Sequence, residues 1–155
     1  MRKIAFVISI LVMALLLNAC RPTEEKLENF YKSRISFGLE HPQQVTSAEE
    51  FSIKVYAANN LTFPVTLSSM AFSFSDFYFV DEKGEKLFAV NPNSVILPNS
   101  SNTFEYKAKK NMEADLGSGV ITSLMQFDLQ INDPKYGAKD LRMTEDFVLE
   151  SARGR

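Results

Sequence analysis

Residues 124–133 read LMQFDLQIND, and they decide the fold. Met125, Phe127, Leu129 and Ile131 alternate with Gln126, Asp128 and Gln130. In an extended chain successive side chains point to opposite faces, so a period of two puts the four apolar groups on one face. This is the pattern of a strand packed on one side only. Asp133-Pro134 stops it, because proline cannot donate to a strand ladder.

The same period recurs on either side. In RISFGLE (34–40), Ile35, Phe37 and Leu39 share a face. In FSIKVYAA (51–58), Phe51, Ile53, Val55 and Ala57 oppose Ser52, Lys54 and Tyr56. Asn59-Asn60 marks a turn, and Phe63–Leu67 reads as a short strand that Pro64 confines to a sheet edge or a strand end. MAFSFSDFYFV (70–80) alternates from Met70 to Phe74 and then changes phase, so a β-bulge near Ser75-Asp76 is expected. Asp81-Glu82-Lys83-Gly84 reads as a hairpin turn, with Leu87–Val90 as the returning strand. SVIL (94–97) is a further short strand, and in TFEYKAK (103–109) Phe104, Tyr106 and Ala108 share a side. LRMTEDFVLE (141–150) is the last strand, and residues 110–119 read as a loop or helical turn.

About eight short strands joined by turns, with no strand–helix–strand rhythm, predict an all-β fold. The expectation is a single immunoglobulin-like antiparallel β-sandwich over residues 34–150, with an up-and-down barrel as the alternative. Thirteen Phe, five Tyr and no Trp agree with β structure.

The N-terminus has a different character. Arg2 and Lys3 precede a run from Ile4 to Leu17 that is apolar except for Ser9. A span across a bilayer needs about 20 apolar residues, and this run suits the core of a signal peptide instead. It ends Leu17-Asn18-Ala19-Cys20, which resembles the bacterial lipobox: a large apolar residue, two mostly small ones and a cysteine. The resemblance implies cleavage before Cys20 and a diacylglycerol on its thiol. A plain secretory signal with a chance cysteine and an uncleaved anchor are the alternatives. The expected organisation is a signal peptide over 1–19, a lipidated cysteine and tether over 20–33, and a tail over 151–155. Thr23 is placed to cap a short helical turn within the tether. Arg21 follows the cysteine; by resemblance to enterobacterial lipoproteins, where Asp there favours the inner membrane, it points, in a Gram-negative envelope, to the outer membrane facing the periplasm. Cys20 is the only cysteine, so no disulfide is available.

Residues 51–67 (FSIKVYAANNLTFPVTL), Gly84 in its hairpin, VILPNSSNTFEYKAK (95–109) and FDLQIND (127–133) form an order of strands and turns. That order resembles the late-embryogenesis-abundant type 2 domain, a small β-sandwich also found in bacterial lipoproteins; it also resembles bacterial immunoglobulin-like inhibitor and envelope domains of the form strand-Asn-strand-DxxG. The late-embryogenesis-abundant family usually has Asn-Pro after its first core strand, where this chain has Asn59-Asn60.

Chemistry is sparse. The net charge is −2, and loss of Arg2 and Lys3 with the signal takes it to about −4, so nucleic acid is not an expected partner. Lys107, Lys109 and Lys110 read as a strand edge kept soluble by lysines. His41 is the only histidine, it precedes Pro42, and any Ser-His-Asp arrangement would need it. Asp76, Asp81, Glu82 and Glu85 read as a solvated hairpin and not as a calcium loop. Asn60-Leu61-Thr62 and Asn99-Ser100-Ser101 match glycosylation sequons but read as turns. No catalytic residue, metal or cofactor is expected. Phe72, Phe74, Phe77 and Phe79 are assigned to the core, and Tyr56 and Tyr78 to a possible binding surface. The expected function is a monomeric, non-enzymatic binding or scaffold domain held to the envelope membrane by lipid, with an envelope protein as partner. The alternative is an inhibitor of a protease or other hydrolase that uses loop 91–101 as a wedge.

Overall fold

The computed structural model describes residues 22–40, 50–73, 77–110 and 120–150. The chain divides into two units, Met1–Tyr31 and Lys32–Arg155, described separately. Helix α1 spans Glu24–Lys32, all of it but Lys32 in the first unit. Thr23 caps it: its carbonyl accepts from Leu27 N (3.1 Å) and its hydroxyl from Lys26 N (3.4 Å). Glu24 and Glu25 in the first turn and Lys32 in the last complement the helix dipole. Among the described residues no helix is long and apolar enough to cross a membrane.

Alternation in the second unit resolves into two antiparallel sheets. Sheet A orders β1 (Ile35–Glu40), β2 (Phe51–Asn59), β8 (Ser100–Lys110), β4 (Phe77–Val80) and β5 (Lys86–Leu87) as β1-β2-β8-β4-β5. Sheet B orders β10 (Gly137–Glu150), β9 (Val120–Asp133), β3 (Val65–Ser73) and β6 (Ala89–Val90) as β10-β9-β3-β6, with β7 (Ser94–Ile96) also pairing β3. The domain is thus an immunoglobulin-like β-sandwich and not a single closed barrel. The described strands number ten, two of them only two residues long.

The faces follow the sequence. Ile53, Val55, Ala57, Phe79 and Ala108 of sheet A are buried against Val65, Leu67, Met70, Met125, Phe127, Leu129 and Ile131 of sheet B. Phe37 of β1 stacks on Phe127 of β9, with centroids 3.7 Å apart and rings 5° from parallel. Phe72 of β3 meets Phe79 of β4 at 4.5 Å, and Tyr106 meets Phe79 edge-on at 5.4 Å. Phe72 and Phe79 therefore pack inward; residue 74 and the Phe77 side chain lie outside the described set.

Several expectations are corrected. Phe63–Leu67 and Met70–Phe74 do not form separate strands: Val65–Ser73 is one strand, with Ser68 bulged between Leu67, opposite Leu129, and Ser69, opposite Asp128. The phase change after Met70–Phe74 marks a change of sheet, since β3 lies in sheet B and β4 in sheet A; the bulge expected at 75–76 lies outside the described residues. Leu87–Val90 is not one returning strand either. Lys86–Leu87 pairs with β4, and Ala89–Val90 crosses to pair with β3. The lysines of β8 are not on an edge, because β2 and β4 flank that strand. The last strand begins at Gly137, earlier than Leu141, and pairs with β9 along its whole length.

Turns use the residues marked for them. Asp81 Oδ1 accepts from Lys83 N (2.9 Å) and Glu85 N (2.8 Å), and Gly84 supplies φ 79°. Asp133 Oδ1 accepts from Lys135 N (2.7 Å) and Tyr136 N (3.1 Å), and Gly137 supplies φ 91°. Both glycines hold a left-handed conformation that a Cβ disfavours.

Candidate functional site

Asn59 organises one end of the sandwich. It is fully buried at the close of β2. Its Oδ1 accepts from Leu61 N at 3.0 Å, which forms the turn. Its Nδ2 donates to Phe63 O at 2.9 Å and to Ile96 O at 3.0 Å, with Leu97 O at 3.3 Å. One side chain of sheet A thus satisfies backbone groups of the β2–β3 turn and of β7 in sheet B. Asn60 N donates to Arg34 O at 2.8 Å and fixes the entry of β1 beside it. The sequence marked this pair as a turn; the buried clamp was not legible there.

Tyr56 and Tyr78 both lie on the outer face of sheet A. Tyr56 stands opposite Gly38, and a Cβ built on that glycine would meet the tyrosine Cβ at 3.8 Å, so the ring covers a place with no side chain. Its hydroxyl donates to Glu40. That bond to Glu40, then desolvation and the nearby negative charge, pushes the phenol pKa up. Tyr78 lies beneath the Lys86 ammonium, 4.9 Å from the ring centroid. The two rings do not form one site. Tyr56 is level with Thr103 and Tyr78 with Lys109, about 20 Å along β8 at strand rise. Between them Ser52 donates to Glu105 at 2.6 Å, and Glu50 pairs with Lys109 at 3.0 Å and Lys107 at 3.6 Å. The Glu50 pKa is lowered first by its hydrogen bond to Lys109.

Loop 91–101 is more constrained than a free wedge. β7 pairs within it to β3, and Ile96 is fully buried. Asn102 Nδ2 donates to Ser94 Oγ and Val95 O, both at 3.1 Å, and Ser100 Oγ donates to Leu97 O at 2.8 Å. Asn93 and Asn99 take the positive φ values (43° and 51°) that turn the chain. Of the sequon asparagines, Asn99 lies in a turn and Asn60 in the connection between β2 and β3.

A groove of about 490 Å³ opens on sheet B beside the bulge, lined by Ser68, Asp128, Leu129, Gln130, Asp140, Leu141 and Arg142. Arg142 donates to Asp128 through Nε (2.7 Å) and Nη2 (3.4 Å), which raises the guanidinium pKa. Ser68 Oγ is buried with no hydrogen-bond partner. A serine nucleophile needs a base in contact, so this hydroxyl is not activated as it stands. The sequence did carry a signal for the bulge: Leu67 and Met70 are both buried although three positions apart, across Ser68-Ser69.

Leu17, Asn18, Ala19 and Cys20 lie outside the described residues, as do His41 and Asp76. Asp81 is engaged by its own turn. Among the described residues no group of three His, Cys, Asp or Glu side chains is placed to hold a metal ion.

No family model and no curated protein matches the chain. Among solved structures it is similar to a late-embryogenesis-abundant-like protein, with 12% identity, TM-score 0.44, and 96% of this chain and 85% of that one covered. It is also similar to the ASH/PapD-like domain of human CEP192 (11%, TM-score 0.40, 79% and 87% covered). A third similarity is to AggA, the major subunit of aggregative adherence fimbriae type I from Escherichia coli (11%, TM-score 0.38, 76% and 94% covered). These values are too low for any of the three to say what this chain does; the sandwich stands on its own strand pairings.

Proposed function

We propose that the protein is a lipid-anchored bacterial envelope protein whose β-sandwich serves as a non-enzymatic binding or scaffold domain. The observation that carries this is Leu17-Asn18-Ala19-Cys20 at the end of an apolar run that follows Arg2-Lys3. A thiol is the group that accepts lipid, and two or more acyl chains make anchoring stable where one is marginal. The domain is read as the late-embryogenesis-abundant type 2 kind, on the order of its strands and turns. The non-enzymatic reading is supported by the side chains that chemistry would need: Asp81 and Asp133 bind turn amides, Asp128 binds Arg142, and Ser68 Oγ is hydrogen-bonded to no base. Metabolic labelling with a fatty acid tests the anchor. Wild type should take up label and be processed, while Cys20→Ala should do neither and accumulate as precursor. Equal label in both would refute the anchor.

A further inference from the structure

Four connections meet at one end of the sandwich. Asn59 pairs with Ile35 and with Ser100, so β1 begins, β2 ends and β8 begins there. Val65 pairs with Ile96 and with Ile131, so β3 begins while β7 and β9 approach their ends at one level. Asn59 joins the two sets through Phe63 O and Ile96 O. Segments 33–34, 60–64, 97–99 and 134–136 therefore share this end.

Its surface carries apolar and cationic groups beside the neutral polar residues Ser33, Asn60, Thr62 and Asn99. Leu97 is 62% exposed and Tyr136 38% exposed. The four segments contain no carboxylate, and neighbouring Asp133 is buried with its oxygen on the amides of Lys135 and Tyr136. Arg34 and Lys135 are exposed here, and the Lys135 ammonium lies 5.0 Å from the Tyr136 ring centroid. Tyrosine at headgroup level with a long basic side chain beside it is the composition of a bilayer interface.

The chain from Cys20 enters the sandwich at this end. Nine helical residues rise about 13 Å and the few remaining residues add about 20 Å at full extension. Strand β9 alone runs about 46 Å, so the chain attaches at this end of the sandwich and not at the far one. We infer that this end docks on the bilayer that holds the Cys20 lipid, with Leu97 and Tyr136 at the headgroup boundary and Arg34 and Lys135 against anionic headgroups. The inference rests on the proposed anchor.

The chain has no tryptophan, so single reporters can be read without background. Leu97→Trp, Tyr136→Trp and the control Phe88→Trp are made in the full, lipid-modified chain. Each is reconstituted into phosphatidylethanolamine vesicles with a minority of phosphatidylglycerol and bromine on the acyl chains near the headgroup. Phe88 is 81% exposed but adjoins Ala89, which pairs with Ala71, about 20 Å along β3 from Val65. Emission should be lost from positions 97 and 136 and retained at 88. Should Leu97→Trp disturb its turn, Tyr136→Trp on a separate hairpin carries the same test. Unquenched emission at 97 and 136 from protein that remains on the vesicles overturns the docking and leaves the anchor standing. Equal quenching at all three positions also overturns it. Protein that floats free of the vesicles refutes the anchor and the docking with it.

Discussion

Removing the Asn59 side chain should weaken the whole sandwich more than its size suggests. Asn59→Ala deletes one accepted bond and two good donated bonds, all at 2.9–3.0 Å. Two of the groups left behind, Leu61 N and Ile96 O, are in buried residues. A buried polar group without a partner costs about 1–3 kcal/mol, so the pair costs about 2–6 kcal/mol. That is a large share of the roughly 5–15 kcal/mol that holds a domain folded. At a urea dependence of about 1–2 kcal/mol per molar, the midpoint should fall by roughly 2 M. Asn59→Leu separates bonding from packing, because it restores volume but neither donates nor accepts. It should be about as unstable as the alanine variant, and in both the Leu61 amide should lose hydrogen-exchange protection. A leucine variant as stable as wild type would refute the clamp and leave a packing effect only.

Phe127→Ala removes the ring stacked on Phe37 and should cost about 3–5 kcal/mol, while exposed Gln130→Ala should stay within about 0.5 kcal/mol, both by denaturant midpoint. Gly137→Ala should destabilise by about 1 kcal/mol although open space surrounds the position, because φ 91° disfavours any Cβ; a neutral result would contradict that reading of the turn. Glu50 should titrate below an ordinary glutamate by NMR, and Lys109→Gln should move it back up. Its folded pKa lies below its unfolded one, so its stabilising contribution is present above the unfolded value and lost as pH falls through the folded value; exposure keeps it small.

Alternation made the inner faces legible. Ile53, Val55 and Ala57, and Met125 to Ile131, are buried where a period of two places them. What the period does not encode is which sheet a strand joins. It reports inside against outside, and both sheets have an inside, so the crossings between β3 and β4 and at Phe88 read as a bulge and as a continuous strand. Pairing is equally invisible: the β8 lysines look like an edge until β4 is seen beside them. Tyr56 and Tyr78 share the outer face of sheet A, but their separation along β8 depends on register, which no local pattern carries. The Asn59 clamp was hidden for a related reason. An asparagine before another asparagine signals a turn, and burial under a strand of the opposite sheet is a property of the assembled fold.

The proposed anchor makes the sharpest claim, and intact mass of the membrane-extracted protein with sequencing of its N-terminal peptide tests it most directly. The account predicts a mature chain that begins at Cys20, with the thiol carrying a diacylglycerol. A mature chain that begins elsewhere, or at Cys20 with a free thiol, would contradict it.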